Sequence, residues 1–149
     1  MIKLIIFIAT GFYSGYLPIA PGTAGSLVGL VIYLLVKDIS PFSYSLFLIV
    51  FFAVGVYFSH IAENDLQEKD SRHIVIDEIY GILLTFFLLP FRIQYLIFGF
   101  FLFRIFDILK PFPIKKAEKI RGGFGIMTDD VIAGLYANIL LHLFRGISL

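Results

Sequence analysis

From residue 42 to residue 59 the chain carries no charged side chain, and apart from small hydroxyls and tyrosines every position is apolar. Such a run reads as a transmembrane helix, the cleanest in the sequence. The rest of the chain agrees with it. With 59% hydrophobic and 17% aromatic residues and a mean hydropathy of +0.93, the composition lies outside the range of soluble globular domains. The expectation is an all-α, polytopic membrane helical bundle forming a single domain over residues 1–149.

Charge is collected rather than spread. Of eleven carboxylates, ten lie between Glu63 and Asp130. The net charge of +1 carries no information about partners, because the distribution matters and the total does not; the membrane is the expected partner and nucleic acid is not. The absence of cysteine excludes disulfides, thiolate metal sites and a cysteinyl-phosphate mechanism.

In chain order, residues 1–16 are apolar but broken by Thr10, Gly11, Ser14 and Gly15, too short for a span of about 20 residues. Residues 1–9 resemble a short signal segment behind Lys3, but a polar face follows and a small-x-small cleavage site is lacking, so the N-terminus is expected to be retained. In residues 17–26, LPIAPGTAGS, prolines and glycines predict a loop, followed by a helix capped by Thr23 or Ser26 and running to about Lys37. After residues 42–59 comes a polar loop, 60–73. An apolar segment then runs from IVIDE at 74–78 to Phe91, and a helix runs from about Gln94 to Leu109. A loop at 110–128 follows, and a last helix opens at Asp129 and ends near Phe144.

If each apolar segment crosses, the acidic motifs, residues 22–26, His60, Arg104 and Lys110 all fall at one end. That end receives eight of the twelve Lys and Arg residues: Lys69, Arg72, Arg104, Lys110, Lys115, Lys116, Lys119 and Arg121. The other receives Lys37, Arg92 and Arg145. The positive-inside bias makes the first end cytoplasmic. A 15-residue helix spans only about 22 Å against a core of about 30 Å, which predicts short transmembrane helices with the polar site at or just below the cytoplasmic headgroups.

Arg104, Asp107 and Lys110 are spaced i, i+3, i+6, so the first two share a helix face. Adjacent Asp77 and Glu78, and adjacent Asp129 and Asp130, demand more explanation. A carboxylate at mid-bilayer costs roughly 2.5–3.5 kcal/mol, and like charges side by side add repulsion. Helix capping, worth about 0.3–1 kcal/mol, accounts for one pair at a time. It does not account for two double-acid starts and Asp107 at one membrane face, whereas a divalent cation does; oxygen ligands without cysteine suit Mg2+ or Mn2+. If ionised, Asp77, Glu78, Asp107, Asp129 and Asp130 carry −5, and Arg104 with Lys110 leaves −3. One divalent ion still leaves −1, so the number of ions stays open. Residues 22–26, GTAGS, are a candidate phosphate cradle. His60 is a candidate proton shuttle or ligand, although a lone interfacial histidine is more often structural; His73 has the same standing, and His142 belongs to the opposite end.

Four motifs in this order, APGTAGS (20–26), IVIDEIYG (74–81), FRIFDILKPFPI (103–114) and GGFGIMTDDVIAG (122–134), resemble the phosphatidylglycerophosphatase A family. The likeness covers nearly the whole chain from residue 17, with Phe112 standing where the family often has Trp. The resemblance implies a bacterial inner-membrane enzyme that hydrolyses phosphatidylglycerol phosphate to phosphatidylglycerol and inorganic phosphate and requires Mg2+. It implies that Asp77, Glu78, Asp129 and Asp130 are metal and catalytic carboxylates, with Asp107 and Asp65 as further members. It makes Thr23, Ser26, Arg104 and Lys110 the phosphate contacts. Attack by water or by an aspartate both remain open. Two other readings compete: a small ion-coupled transporter subunit, since intramembrane acids also mark ion paths, and a CDP-alcohol phosphotransferase, whose DGxxAR signature is absent.

Overall fold

The structure, a computed structural model, describes residues 2–68, 71–117 and 120–145. Lys69 and Lys119, both assigned above to the basic end, lie outside the described residues. Among the described residues all regular structure is helical: α1 (Ile2–Ala9), a tight turn at Ser14–Tyr16, α2 (Pro21–Val36), α3 (Pro41–Leu66), α4 (Ile76–Thr85), α5 (Ile93–Leu109), α6 (Ile114–Ala117) and α7 (Gly123–Arg145). The all-helical expectation holds. Two helices, α3 and α7, are long and apolar enough to cross a membrane, and α2 is a shorter apolar helix. Little of α3 is buried, and Phe42, Leu46, Ile49 and Val54 point outward from it, as do Val31 and Leu35 from α2 and Phe98 and Phe101 from α5. An apolar exterior of this kind suits lipid rather than water.

The helix at the centre is the shortest of the major ones. Nine of the ten residues of α4 are buried, Glu78 being the exception, and it packs between α2, α3, α5 and α7. At about 15 Å it cannot span a bilayer on its own. Side chains from its neighbours satisfy the carbonyls at its C-terminal end. Tyr44 donates to Leu83 O at 2.8 Å, and Asn138 donates to Thr85 O at 3.0 Å and to Phe87 O at 2.9 Å. The crossing of α4 and α7 is close because both are small there: a Cβ on Gly134 would lie 2.6 Å from Gly81 O.

Four expected boundaries shift. The helix α2 starts at Pro21, so residues 22–26 form its first turns instead of a loop, and neither Thr23 nor Ser26 is its cap; Ala20 is, in a left-handed conformation at φ +50°. Proline suits the first helical position, where its missing N–H costs nothing. The helix α3 continues through His60 to Leu66, so the change from apolar to polar sequence there marks a change of surroundings, not a helix end. The last helix begins at Gly123, which places Asp129 and Asp130 about two turns inside it. Finally, α5 opens at Ile93 and is followed by the short α6 in place of an unbroken loop. The N-terminal residues form no span: α1 is eight residues long, and Ala9 O accepts a bond from Val75 N at 3.0 Å, tying it to the segment before α4.

The ends segregate as the crossing argument expects. Tyr33, Lys37, Tyr44, Phe87 and Arg145 line a cavity of about 280 Å³ at one end. At the other, Gly22 at the start of α2 lies against Glu78 at the start of α4 and Arg104 near the end of α5.

Candidate functional site

Two helices deliver the acids. Asp77 and Glu78 occupy the first turn of α4, which opens at Val75 without a side-chain cap. The unpaired N–H groups there favour carboxylates. Asp130 comes from the interior of α7, beyond the reach of a terminal dipole, so capping does not account for it. One carboxylate oxygen from each of Asp77, Glu78 and Asp130 lies within 4.8 Å of the other two. Asp130 is only 2% exposed. Asp77 Oδ1 and Glu78 Oε2 are buried and have no hydrogen-bond partner. Asp107 of α5 is close enough to Asp130 to interact with it, and Asp129 acts on both Asp77 and Asp130 through space.

Buried oxygens that only accept, converge and lack donors are what a hard divalent cation would satisfy, and the set contains neither sulfur nor imidazole. The residues present fit Mg2+ or Mn2+. Asp129 does not join the three. Its position on α7 turns it about 100° from Asp130, towards the end of α5. Asp129 instead accepts from Lys110 Nζ at 2.9 Å.

The cations have separate tasks. Arg104 is ion-paired with Asp107 three residues on, and its Nη1 donates to Ser26 Oγ at 3.4 Å. Its Nε is buried without a partner. Ser26 is fully buried and donates to Gly22 O at 2.8 Å, so its hydroxyl is engaged within the protein, where it braces Arg104. Thr23, half-buried, lies on the same first turns of α2, whose leading N–H groups have no side-chain cap. A methyl on Gly22 would collide with Glu78 Oε1, so glycine is what lets this helix start come so near the acids. Lys110 sits just past α5 in a left-handed conformation, φ +44°, with its N–H on Phe106 O at 2.9 Å.

The remaining candidates lie elsewhere. Asp65 is exposed near the end of α3 and is not one of the three converging acids, because its helix has by then run past them. His73 bonds Gly15 O at 2.9 Å through Nδ1 and stacks on Tyr16, a structural role. His60 is exposed beside Glu63, Arg121 and the first residues of α7. His142 faces Phe87 O at 3.2 Å at the opposite end. Sequence reasoning missed the Lys110–Asp129 pairing and the contact of Gly22 with Glu78, both of which join different helices.

Comparison with known proteins gives a consistent picture. A protein of Bacteroides thetaiotaomicron provisionally named a phosphatidylinositol-3-phosphatase is 38% identical over 152 residues, covering 97% of this chain and 95% of that protein. Phosphatidylglycerophosphatase A of Escherichia coli is 38% identical over 137 residues, 91% of this chain and 80% of its own. The protein of the same name from Haemophilus influenzae is 39% identical over 144 residues, with 95% and 88% covered. No solved structure matches the chain. Residues 7–145, which contain every acid and base of the site, match the family Phosphatidylglycerophosphatase A, and the chain belongs to that family.

Proposed function

We propose that this protein is a membrane-bound lipid phosphatase that hydrolyses phosphatidylglycerol phosphate to phosphatidylglycerol and inorganic phosphate, with Mg2+ as cofactor. The observation that carries the reading is the convergence of Asp77, Glu78 and Asp130 beside Arg104 and the uncapped start of α2. Family membership names the reaction. The site supplies complementary halves, acids to hold a cation and donors to hold an anion.

Asp77, Glu78 and Asp130 would hold Mg2+, which when bound supplies Lewis-acid neutralisation of phosphoryl oxygens. Arg104 and the leading N–H groups of α2 at Gly22 and Thr23 bind the terminal phosphate. Asp107 and Ser26 fix the guanidinium so that it need not reorganise as charge develops. Asp129 holds Lys110 near the same site. Water attacks phosphorus in line, directly or after an aspartate has taken the phosphoryl group. The bond to the glycerol oxygen breaks, and that oxygen leaves with a proton.

The described bases at the site end, Arg72, Arg104, Lys110, Lys115, Lys116 and Arg121, outnumber Lys37, Arg92 and Arg145 at the other. This asymmetry supports a bacterial inner-membrane protein with its site towards the cytoplasm. Exposed Lys115, Lys116 and Arg121 would draw anionic headgroups to it.

Purified protein in detergent should release phosphate from phosphatidylglycerol phosphate with Mg2+ and stop on addition of EDTA. Phosphatidylinositol 3-phosphate is the comparison substrate, because one relative carries that name. Preference for the inositol lipid would move the assignment to that headgroup, and full turnover by Asp130→Asn would remove the site.

A further inference from the structure

An apolar groove of about 300 Å³ runs between α5 and α7, lined by Phe106, Tyr136, Ile139 and Leu140 with no polar surface. Its position follows from helical spacing. On α7, Asp129, Tyr136 and Leu140 are i, i+7 and i+11 and share one face; Phe106 lies in the last turn of α5, and Lys110 follows just past the helix with its N–H on Phe106 O. The Lys110–Asp129 ion pair, 2.9 Å, therefore bridges the same two helices at the head of the groove. Below it the rings of Phe106 and Tyr136 meet edge to face at 5.5 Å. Tyr136 OH donates to Phe112 O at 2.9 Å, which pins the segment after α5 over the upper end. Ile139 is 53% exposed at the lower end, so the groove opens sideways onto the apolar exterior.

We infer that this groove receives one acyl chain of a phospholipid whose headgroup lies at Lys110 and the acidic site. The inference rests on the lipid-phosphatase reading and adds a binding direction to it. The occupant follows from the gradient along the groove. Its lining is wholly apolar, it faces the lipid side, its size is at the small end of ligand pockets, and it ends at Lys110, the cation that follows α5 and pairs with Asp129 of α7. A peptide would find no donor or acceptor along it. A phospholipid matches both parts, chain to the lining and phosphate to Lys110. The substrate then approaches laterally from the bilayer between α5 and α7.

The test fills the groove without touching the chemistry. Ile139→Trp should lower kcat/KM for long-chain phosphatidylglycerol phosphate about ten-fold, the worth of roughly two buried methylenes. Its turnover of a dibutanoyl analogue should be unchanged, and Ile49→Trp, on the outward face of α3, should change neither. The independent arm uses vesicles of phosphatidylethanolamine and phosphatidylglycerol in which the phosphatidylglycerol carries a diazirine midway along one acyl chain. Cross-links should concentrate on the peptide containing Tyr136, Ile139 and Leu140 and disappear in Ile139→Trp. Equal loss with both substrates, no loss with the long-chain one, or cross-links spread evenly over α2, α3 and α5 would each overturn the inference. If the wild-type protein hydrolyses neither substrate, the assigned activity fails, and the cross-link map still decides whether the groove holds a chain.

Discussion

Replacing Asp130 by asparagine should stabilise the fold without divalent cations and abolish most of the activity with them. The three converging carboxylate oxygens lie within 4.8 Å of one another. At an effective dielectric constant of about 20, each ionised pair at that distance repels by about 3.5 kcal/mol, and Asp130 takes part in two pairs, about 7 kcal/mol in all. Arg104 and the α4 N-terminus offset much of this, and the asparagine keeps the size of the side chain. A net gain of about 1–2 kcal/mol is expected, roughly 2–8 °C in Tm for a chain of this length. With no tryptophan and no cysteine to report unfolding, melting is followed by the helical circular dichroism signal in detergent, in EDTA and in Mg2+. The wild-type protein should gain stability from Mg2+ by mass action, and Asp130→Asn should gain much less. Its kcat/KM should fall about 100-fold or more, the order of effect of losing one preorganised electrostatic contact. If Asp130→Asn melts below the wild type in EDTA and Mg2+ shifts both alike, the three acids do not form a shared cation-holding cluster.

Asp129→Asn should behave differently from its neighbour: its response to Mg2+ persists, because Asp129 serves Lys110, and a double-mutant cycle with Lys110→Met should give a coupling of about 0.5–3 kcal/mol, read from melting midpoints. Asn138→Ala removes the side-chain donor to Thr85 O and one of two groups facing Phe87 O, and should cost about 1–3 kcal/mol while leaving the affinity for Mg2+ unchanged, as measured by titrating the melting temperature. Gly134→Ala forces a methyl onto Gly81 O and should destabilise by about 1–3 kcal/mol; an unchanged Tm would mean that α4 and α7 do not cross this closely. Gly22→Ala pushes on Glu78 and should raise the Mg2+ concentration needed for half-maximal activity with little change in helix content by circular dichroism.

The helical architecture and the grouping of acids at one end were legible because both rest on apolar run length and on the parity of crossings. The helix boundaries were less so, for identifiable reasons. Gly122, Gly123 and Gly125 look like breakers, yet Gly123 and Gly125 are needed because a Cβ there would strike Val56 O and Ile120 O. Pro21 looks like a loop residue but fills the first helical position, and the polar residues after Ser59 prolong a helix that the apolar run alone would end. Of the expected site, Asp77, Glu78 and Asp130 come together, Asp107 and Arg104 pair beside them, and Asp129 turns away to Lys110. Spacing along one helix could predict the Arg104–Asp107 pair. The pairing of Lys110 with Asp129 crosses between two helices, and only their packing sets it.

The depth of the site follows from contacts rather than composition. Gly123 packs against Val56 and His60, and Gly55 lies beside Met127, so antiparallel α3 and α7 are level at those positions. Asp130 is therefore level with about residue 52 of α3, some 10 Å below the point where the apolar run ends at Ser59. The starts of α2 and α4 lie at this recessed level, with α3 and α7 standing taller beside them. Helix starts at membrane depth hold N–H groups that hydrocarbon cannot satisfy. Here Asp77 and Glu78 occupy the first turn of α4, and the start of α2 at Gly22 lies against Glu78. On the proposed reading, the same donors that would destabilise a simple bundle would serve as the anion-binding half of the site, and the acids that lipid would reject would serve as its cation-binding half. On that reading each half offsets the cost of the other at that depth, which lets a ten-residue helix carrying two adjacent carboxylates occupy the centre of an otherwise apolar chain.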